Sequence, residues 1–127
     1  MDTILGDFYR TEQITRTTDT SYRAAIRLNA DHAIFRGHFP GNPVTPGVCM
    51  MQIIKDLCEA ILNKPLFLLR SSNVKFMALI NPLEHPLLTL DLELVYEDET
   101  HIKVKNVSCF EDTVALKLTN VYKIEHE

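Results

Sequence analysis

The sequence predicts an α+β fold in which an antiparallel sheet wraps around one long central helix. Two observations carry this. A single stretch, residues 46–63, places its polar residues at helical period, and the segments after it alternate with a period of two. One helix cannot cover both faces of such a sheet. The economical packing curls the sheet around the helix and leaves a second copy of the chain to cover the other face. The 127 residues suffice for one domain with a real core and are few for two, so residues 1–127 are expected to form a single domain.

The first strand expected is YRAAIRLN, residues 22–29, where Tyr22, Ala24 and Ile26 alternate with more polar neighbours. Next comes GHFPGNPVTPG, residues 37–47, with one His, three Pro and three Gly in eleven positions. The helix follows. Thr45 is a suitable N-cap, and Pro46 suits the first helical position, where a missing N–H costs nothing. Gln52, Lys55, Asp56, Glu59 and Asn63 form one polar stripe; Met51, Ile54, Cys58 and Ile61 occupy the remaining surface, and Pro65 ends the helix.

Strands then return. LFLLRSSNVKFMAL, residues 66–79, reads as a strand bent near Ser71 and Ser72. In LLTLDLELVYED, residues 87–98, Leu88, Leu90, Leu92, Leu94 and Tyr96 alternate against Thr89, Asp91, Glu93 and Val95, the pattern of a half-buried strand. THIKVKNVSCF and TVALKLTNVYKI repeat it across the turn at 111–113, which makes about five or six strands in all.

Composition narrows the function classes. A hydrophobic fraction of 46% and a charged fraction of 24% are those of an ordinary globular chain. A net charge of −4 argues against a general nucleic-acid or anionic-membrane surface, while local basic residues remain available to an acidic partner. Cys49, Cys58 and Cys109 are scattered, form no CxxC and read as reduced thiols in a cytoplasm. Cys49 and Cys58 are expected as packing residues. The opening MDTILGDFYRTEQ lacks a basic stretch followed by an apolar run, so no signal peptide is expected, and no segment reaches the ~18 apolar residues of a membrane span. His32, Glu84, His85 and His101 lie near expected turns and are expected to be exposed, with His126 in the terminus. None pairs at metal-ligand spacing, and no metal or cofactor is implied.

His38 is the candidate for chemistry. Histidine is the side chain suited to take or give a proton near neutral pH. Gly37 and Gly41 permit positive φ or a close backbone approach, and Pro40, Pro43 and Pro46 lower the entropy of the loop. Gly47 opens the helix, where free N–H groups favour a partly negative oxygen. A base beside such an oxyanion site suits abstraction of a proton α to a carbonyl. The same residues also fit a structural histidine in an ordinary turn, and the pattern alone leaves both readings open.

GHFPGNPVTPGV resembles the signature of the hot-dog-fold 3-hydroxyacyl-(acyl carrier protein) dehydratases, and NVKFMALINPLEHPLLTLDLELV resembles the strand, turn and strand that follow the helix in that family. The resemblance implies a homodimer of hot-dog subunits with shared sites. It implies that His38 removes the α-proton, that the Gly47 N–H polarises the thioester carbonyl, and that Phe39 and Val48 line the acyl tunnel. It further implies an acid from the partner's helix, within a Glu-x-x-x-Gln pattern. Here the aligned segment is QIIKD, so Gln52 stands at the carboxylate's position and Asp56 at the amide's. An amide is no general acid. Three consequences stay open: Asp56 supplies the acid, or Gln52 orients the hydroxyl while His38 handles both protons, or the chain binds acyl groups without dehydrating them. The partner implied is an acyl carrier protein, with Arg36, Arg70 and Lys75 available to meet it. A hot-dog thioesterase is the further alternative.

Overall fold

Helix α2 (Gly47–Leu62) buries Cys49, Met50, Ile53, Ile54, Leu57 and Cys58, and a sheet curls around that face. The structure, a computed structural model, describes residues 5–125, so His126 lies outside the described residues. The strands are β1 (Tyr9–Arg16), β2 (Ser21–Leu28), β3 (Leu66–Phe76), β4 (Leu87–Tyr96), β5 (His101–Phe110) and β6 (Thr113–Ile124). They form one six-stranded sheet in the order β1-β2-β4-β5-β6-β3, with every neighbouring pair antiparallel. A 3-10 turn at Gly6–Phe8 precedes β1, and a short helix, α1 (Ile34–Gly37), lies between β2 and α2. This is the hot-dog arrangement of sheet around helix.

The inner face follows the period of two. Leu88, Leu90, Leu92 and Leu94 of β4, Ile102 and Val104 of β5, and Leu116, Leu118, Tyr122 and Ile124 of β6 are buried with the helix residues in one core. Its polar members are bonded. Ser108 donates to Asn106, which donates to the Asp91 carbonyl oxygen, and Ser71 donates to Asn120, which donates to the Tyr122 hydroxyl. Burial pushes the thiols of the core residues Cys49 and Cys58 up, away from the reactive thiolate.

Several expectations are corrected. Thr45 does not cap α2; Pro46 is the cap residue, no side chain bonds there, and the helix begins at Gly47. Thr45 is instead buried, with its amide on the Ile80 carbonyl oxygen. The helix ends at Leu62 because Asn63 turns left-handed at φ 54° and returns its N–H to the Glu59 carbonyl oxygen, before Pro65 is reached. Tyr96, expected inside, is 49% exposed at the end of β4. His32, His85 and His101 are half-buried rather than exposed. His32 accepts from the Ile34 amide, His85 stacks on Phe110, and His101 bonds Asp98.

The sheet's outer face needs less cover than expected. It carries Arg23 paired to Asp91, together with Lys105, Lys117 and Lys123. The exposed apolar side chains gather on edge strand β3 and the segment after it, at Phe67, Leu69, Phe76, Met77 and Leu79.

Ile53 is fully buried at the centre of α2. Ile53→Ala is expected to lower unfolding stability by about 2–5 kcal/mol, the usual cost of a large core truncation. The urea midpoint at constant m-value checks it.

Candidate active site

The loop that carries His38 is closed by its own backbone. Phe39 and Asn42 exchange amide–carbonyl bonds of 3.2 and 3.0 Å, and Gly41 between them has φ 73°. That left-handed turn favours glycine, and Pro40 suits the position before it. One step outward, the Val44 amide donates to the His38 carbonyl oxygen at 2.9 Å. Gly37, by contrast, neither takes positive φ nor meets an atom within 4 Å, so nothing in the structure requires glycine there.

The loop also sets the imidazole. His38 Nδ1 lies 3.1 Å from the Val44 carbonyl oxygen, which can only accept. Nδ1 therefore carries the proton, and in the neutral ring Nε2 holds the free lone pair. Phe39 stacks on the ring, with centroids 4.2 Å apart.

His38, Phe39 and Gly47 line one cavity of about 440 Å³. Gly47 stands at the first turn of α2, where the N–H has no acceptor within the helix. The rest of the wall comes from Val44 to Pro46, Met50, the segment Phe76–Ile80, and Ala115 with Leu116. Among the described residues, His38 is the one titratable side chain on this wall. Thr45 Oγ1, on the same wall, is a buried hydroxyl without a hydrogen-bond partner among the described residues.

Gly47 leaves room for a neighbouring ring. A Cβ built there would lie 2.7 Å from Cζ of Phe76. Phe76 thus rests on the helix opening, a contact between residues 29 positions apart that no motif marks.

The other expected residues lie elsewhere. Val48 is 78% exposed and is not on the cavity wall. Gln52 and Asp56 are half-buried on another side of α2, also off that wall. They are bonded to each other: Gln52 Nε2 donates to Asp56 Oδ1 at 2.8 Å. The second carboxylate oxygen, Oδ2, accepts from the Tyr9 hydroxyl at 3.0 Å. Burial, then the Asp56 charge and this bond, push the Tyr9 phenol well above its ordinary range. Tyr9 also borders a second cavity, of about 520 Å³, between the start of β1 and the end of β2. Among the described residues, no group of three His, Cys, Asp or Glu side chains is placed to hold a metal. No helix there is long and apolar enough to cross a membrane.

Residues 13–115 match the ApeI-like family, described as ApeI dehydratase. The chain belongs to the ApeI-like dehydratase family. It is 28% identical over 111 residues to the 3-hydroxyacyl-[acyl-carrier-protein] dehydratase FabZ of Wolbachia pipientis wMel, covering 79% of this chain and 78% of that one. It is 30% identical over 91 residues to FabZ of Rickettsia massiliae, covering 65% of this chain and 57% of the relative. Among solved structures, the dehydratase heterocomplex ApeI:P from Xenorhabdus doucetiae superposes with a TM-score of 0.67 at 19% identity, over 99% of this chain and 100% of that one. A thioesterase with coenzyme A from Streptococcus pneumoniae TIGR4 superposes at 0.66 with 13% identity, over 95% of this chain and 88% of that one. These likenesses show the hot-dog fold that the ApeI-like chain shares with both.

The close approach of Phe76 is testable. Gly47→Ala is expected to lower stability by about 1 kcal/mol, the low end for overpacking against an exposed ring. Most of that loss should vanish when Phe76 is also replaced by Ala. Equal losses in the two backgrounds, by urea titration, would show that the ring is not the cause.

Proposed function

We propose that the protein removes water from a 3-hydroxyacyl thioester carried on an acyl carrier protein, giving the trans-2-enoyl thioester. The observation that carries this reading is the bond from His38 Nδ1 to the Val44 carbonyl oxygen, which leaves Nε2 as the base. His38 takes the Cα proton. The Gly47 N–H, at the positive end of α2, holds the thioester oxygen as negative charge builds there. Phe39 and the apolar wall receive the acyl chain beside the chemistry, and Val48 meets it from its exposed position. Gln52 and Asp56 act on the hydroxyl side. The reaction uses no cofactor.

Each chain is read as one hot-dog domain, residues 1–127, acting in the cytoplasm in fatty-acid, lipid or polyene biosynthesis. The working unit is a homodimer. The exposed apolar edge of Phe67, Leu69, Phe76, Met77 and Leu79 supports this, together with the absence of Gln52 and Asp56 from the His38 cavity of their own chain. A second copy covers that edge and brings its Gln52 to the site. Arg36, Arg70 and Lys75, all exposed, are the basic residues that meet the acidic carrier.

An acyl-binding subunit without turnover is the second reading, favoured by the amide at position 52. One experiment separates the readings: incubation with a 3-hydroxyacyl carrier thioester, read by mass. Loss of water supports dehydration and free acid a thioesterase. Binding without either product supports the acyl-binding subunit.

His38→Ala is expected to cut dehydration at least about 100-fold while the melting temperature stays near that of the parent. Retained turnover would make His38 structural. Sedimentation at micromolar concentration is expected to show a dimer, with an interface of at least about 1,000 Å². A clean monomer there would remove the shared site.

A further inference from the structure

Two facts bear on the source of the second proton. Among the described residues, the His38 cavity offers no other titratable side chain, and the carboxylate nearest in sequence to the expected acid position is already engaged on both oxygens. Resting on the dehydratase reading above, we infer that Tyr9 and Asp56 are positioning residues that hold the Gln52 carboxamide as a hydrogen-bond donor to the substrate hydroxyl, and that His38 alone carries the proton.

An ionised carboxylate only accepts. Tyr9 and Gln52 both donate to Asp56, one to each oxygen, at 3.0 and 2.8 Å. This fixes which end of the amide is nitrogen: Nε2 faces Asp56, and its second N–H remains to donate. Both Asp56 oxygens are thus directed at partners within the chain, one at the amide and one at the phenol, and neither borders the His38 cavity. Tyr9 is no substitute acid, because burial and the neighbouring charge hold its proton firmly. Nearby, Glu59 accepts from the Leu66 amide, and the buried Tyr122 phenol on β6, raised chiefly by burial and also by the Glu59 and Asp56 carboxylates, likewise keeps its proton.

The step then balances on one imidazole. His38 Nε2 takes the Cα proton as that C–H pair becomes the Cα=Cβ bond and the Cβ–O bond breaks. Gln52 of the second copy steadies the departing oxygen. The imidazolium returns the same proton to that oxygen, water leaves, and His38 is neutral again. Cα and Cβ are adjacent, so one ring can serve both on the same face.

The test is the pH dependence of kcat/KM for the purified full chain on a 3-hydroxyacyl carrier thioester. The parent is expected to show one rising limb, from loss of the imidazole proton, and a plateau to pH ~9, where a base-plus-acid pair gives a bell. Tyr9→Phe and Asp56→Asn are each expected to lower kcat about 10-fold with KM within about twofold. Both should keep the single limb, and the double variant should lose no more than either alone. Gln52→Glu adds a titrating group and is expected to bring in a falling limb. A bell in the parent whose falling limb disappears in Asp56→Asn would overturn the inference and make Asp56 the acid. Unchanged kcat in Tyr9→Phe, or a single limb in Gln52→Glu, would also overturn it. Each of these outcomes leaves dehydration itself standing, whereas a parent that releases no water removes both readings.

Discussion

One helix has to fill the whole concave side of the sheet, and the rest of the molecule follows from that constraint. The buried run from Cys49 to Cys58 presses on β4, β5 and β6, which supply the largest inward side chains. With the helix so fixed, its first turn projects at the end of the core, near the start of β6 and the segment after β3. The cavity forms there because Phe76–Ile80, Ala115 and Leu116 meet the opening of α2. The His38 loop needs no contact with the sheet to be rigid, since its hydrogen bonds run from His38 to Val44 and close on themselves. Rigidity of the loop and placement of the cavity therefore come from separate causes, which meet at Pro46 and Gly47.

Polarity divides the helix accordingly. Its opening faces an apolar cavity with a single titratable group, where a bond to a developing oxyanion is strong because water competes little. Its polar stripe, two turns on, gathers Gln52, Asp56 and the Tyr9 hydroxyl into a network that serves both carboxylate oxygens. Within one chain these halves do not meet. On the proposed reading a second copy supplies the missing half, and the apolar edge of β3 is the part of the surface that has most to gain from such a contact.

The legible parts of the sequence were those where burial and periodicity agree. The alternation of β4, β5 and β6 is clear because one face of each packs on α2 and the other meets water. β1 escaped notice because its exposure hardly alternates along its length, so Tyr9-Arg10-Thr11-Glu12 carries no pattern. β3 is exposed on both faces beyond Leu66, and its apolar residues imitate a core strand while lying outside the core. The ends of α2 misled for local reasons. Thr45 has the chemistry of a cap but is drawn inward by its amide bond to Ile80, and Asn63 supplies the left-handed stop that a proline seemed to explain. The histidine loop was readable because Pro40-Gly41 and Val44 write their geometry locally. Tyr9 was not readable, since it meets Asp56 across 47 positions with no motif at either end.

The order of amide and acid along α2 has structural consequences of its own. Residues four apart on a helix face each other, so Gln52 Nε2 reaches Asp56 Oδ1. The charge sits about 6 Å further along the axis than the amide. There the Tyr9 hydroxyl is positioned to donate to it. Asp56 without Tyr9 would leave a half-buried carboxylate with one oxygen unserved, at a cost of about 1–3 kcal/mol. Tyr9 opposite an amide would lose the charge-assisted bond that holds its ring in place. The phenol and the carboxylate are thus coupled by stability whatever their part in turnover. The amide at position 52 inherits from that coupling a fixed assignment of its ends, with the nitrogen facing Asp56.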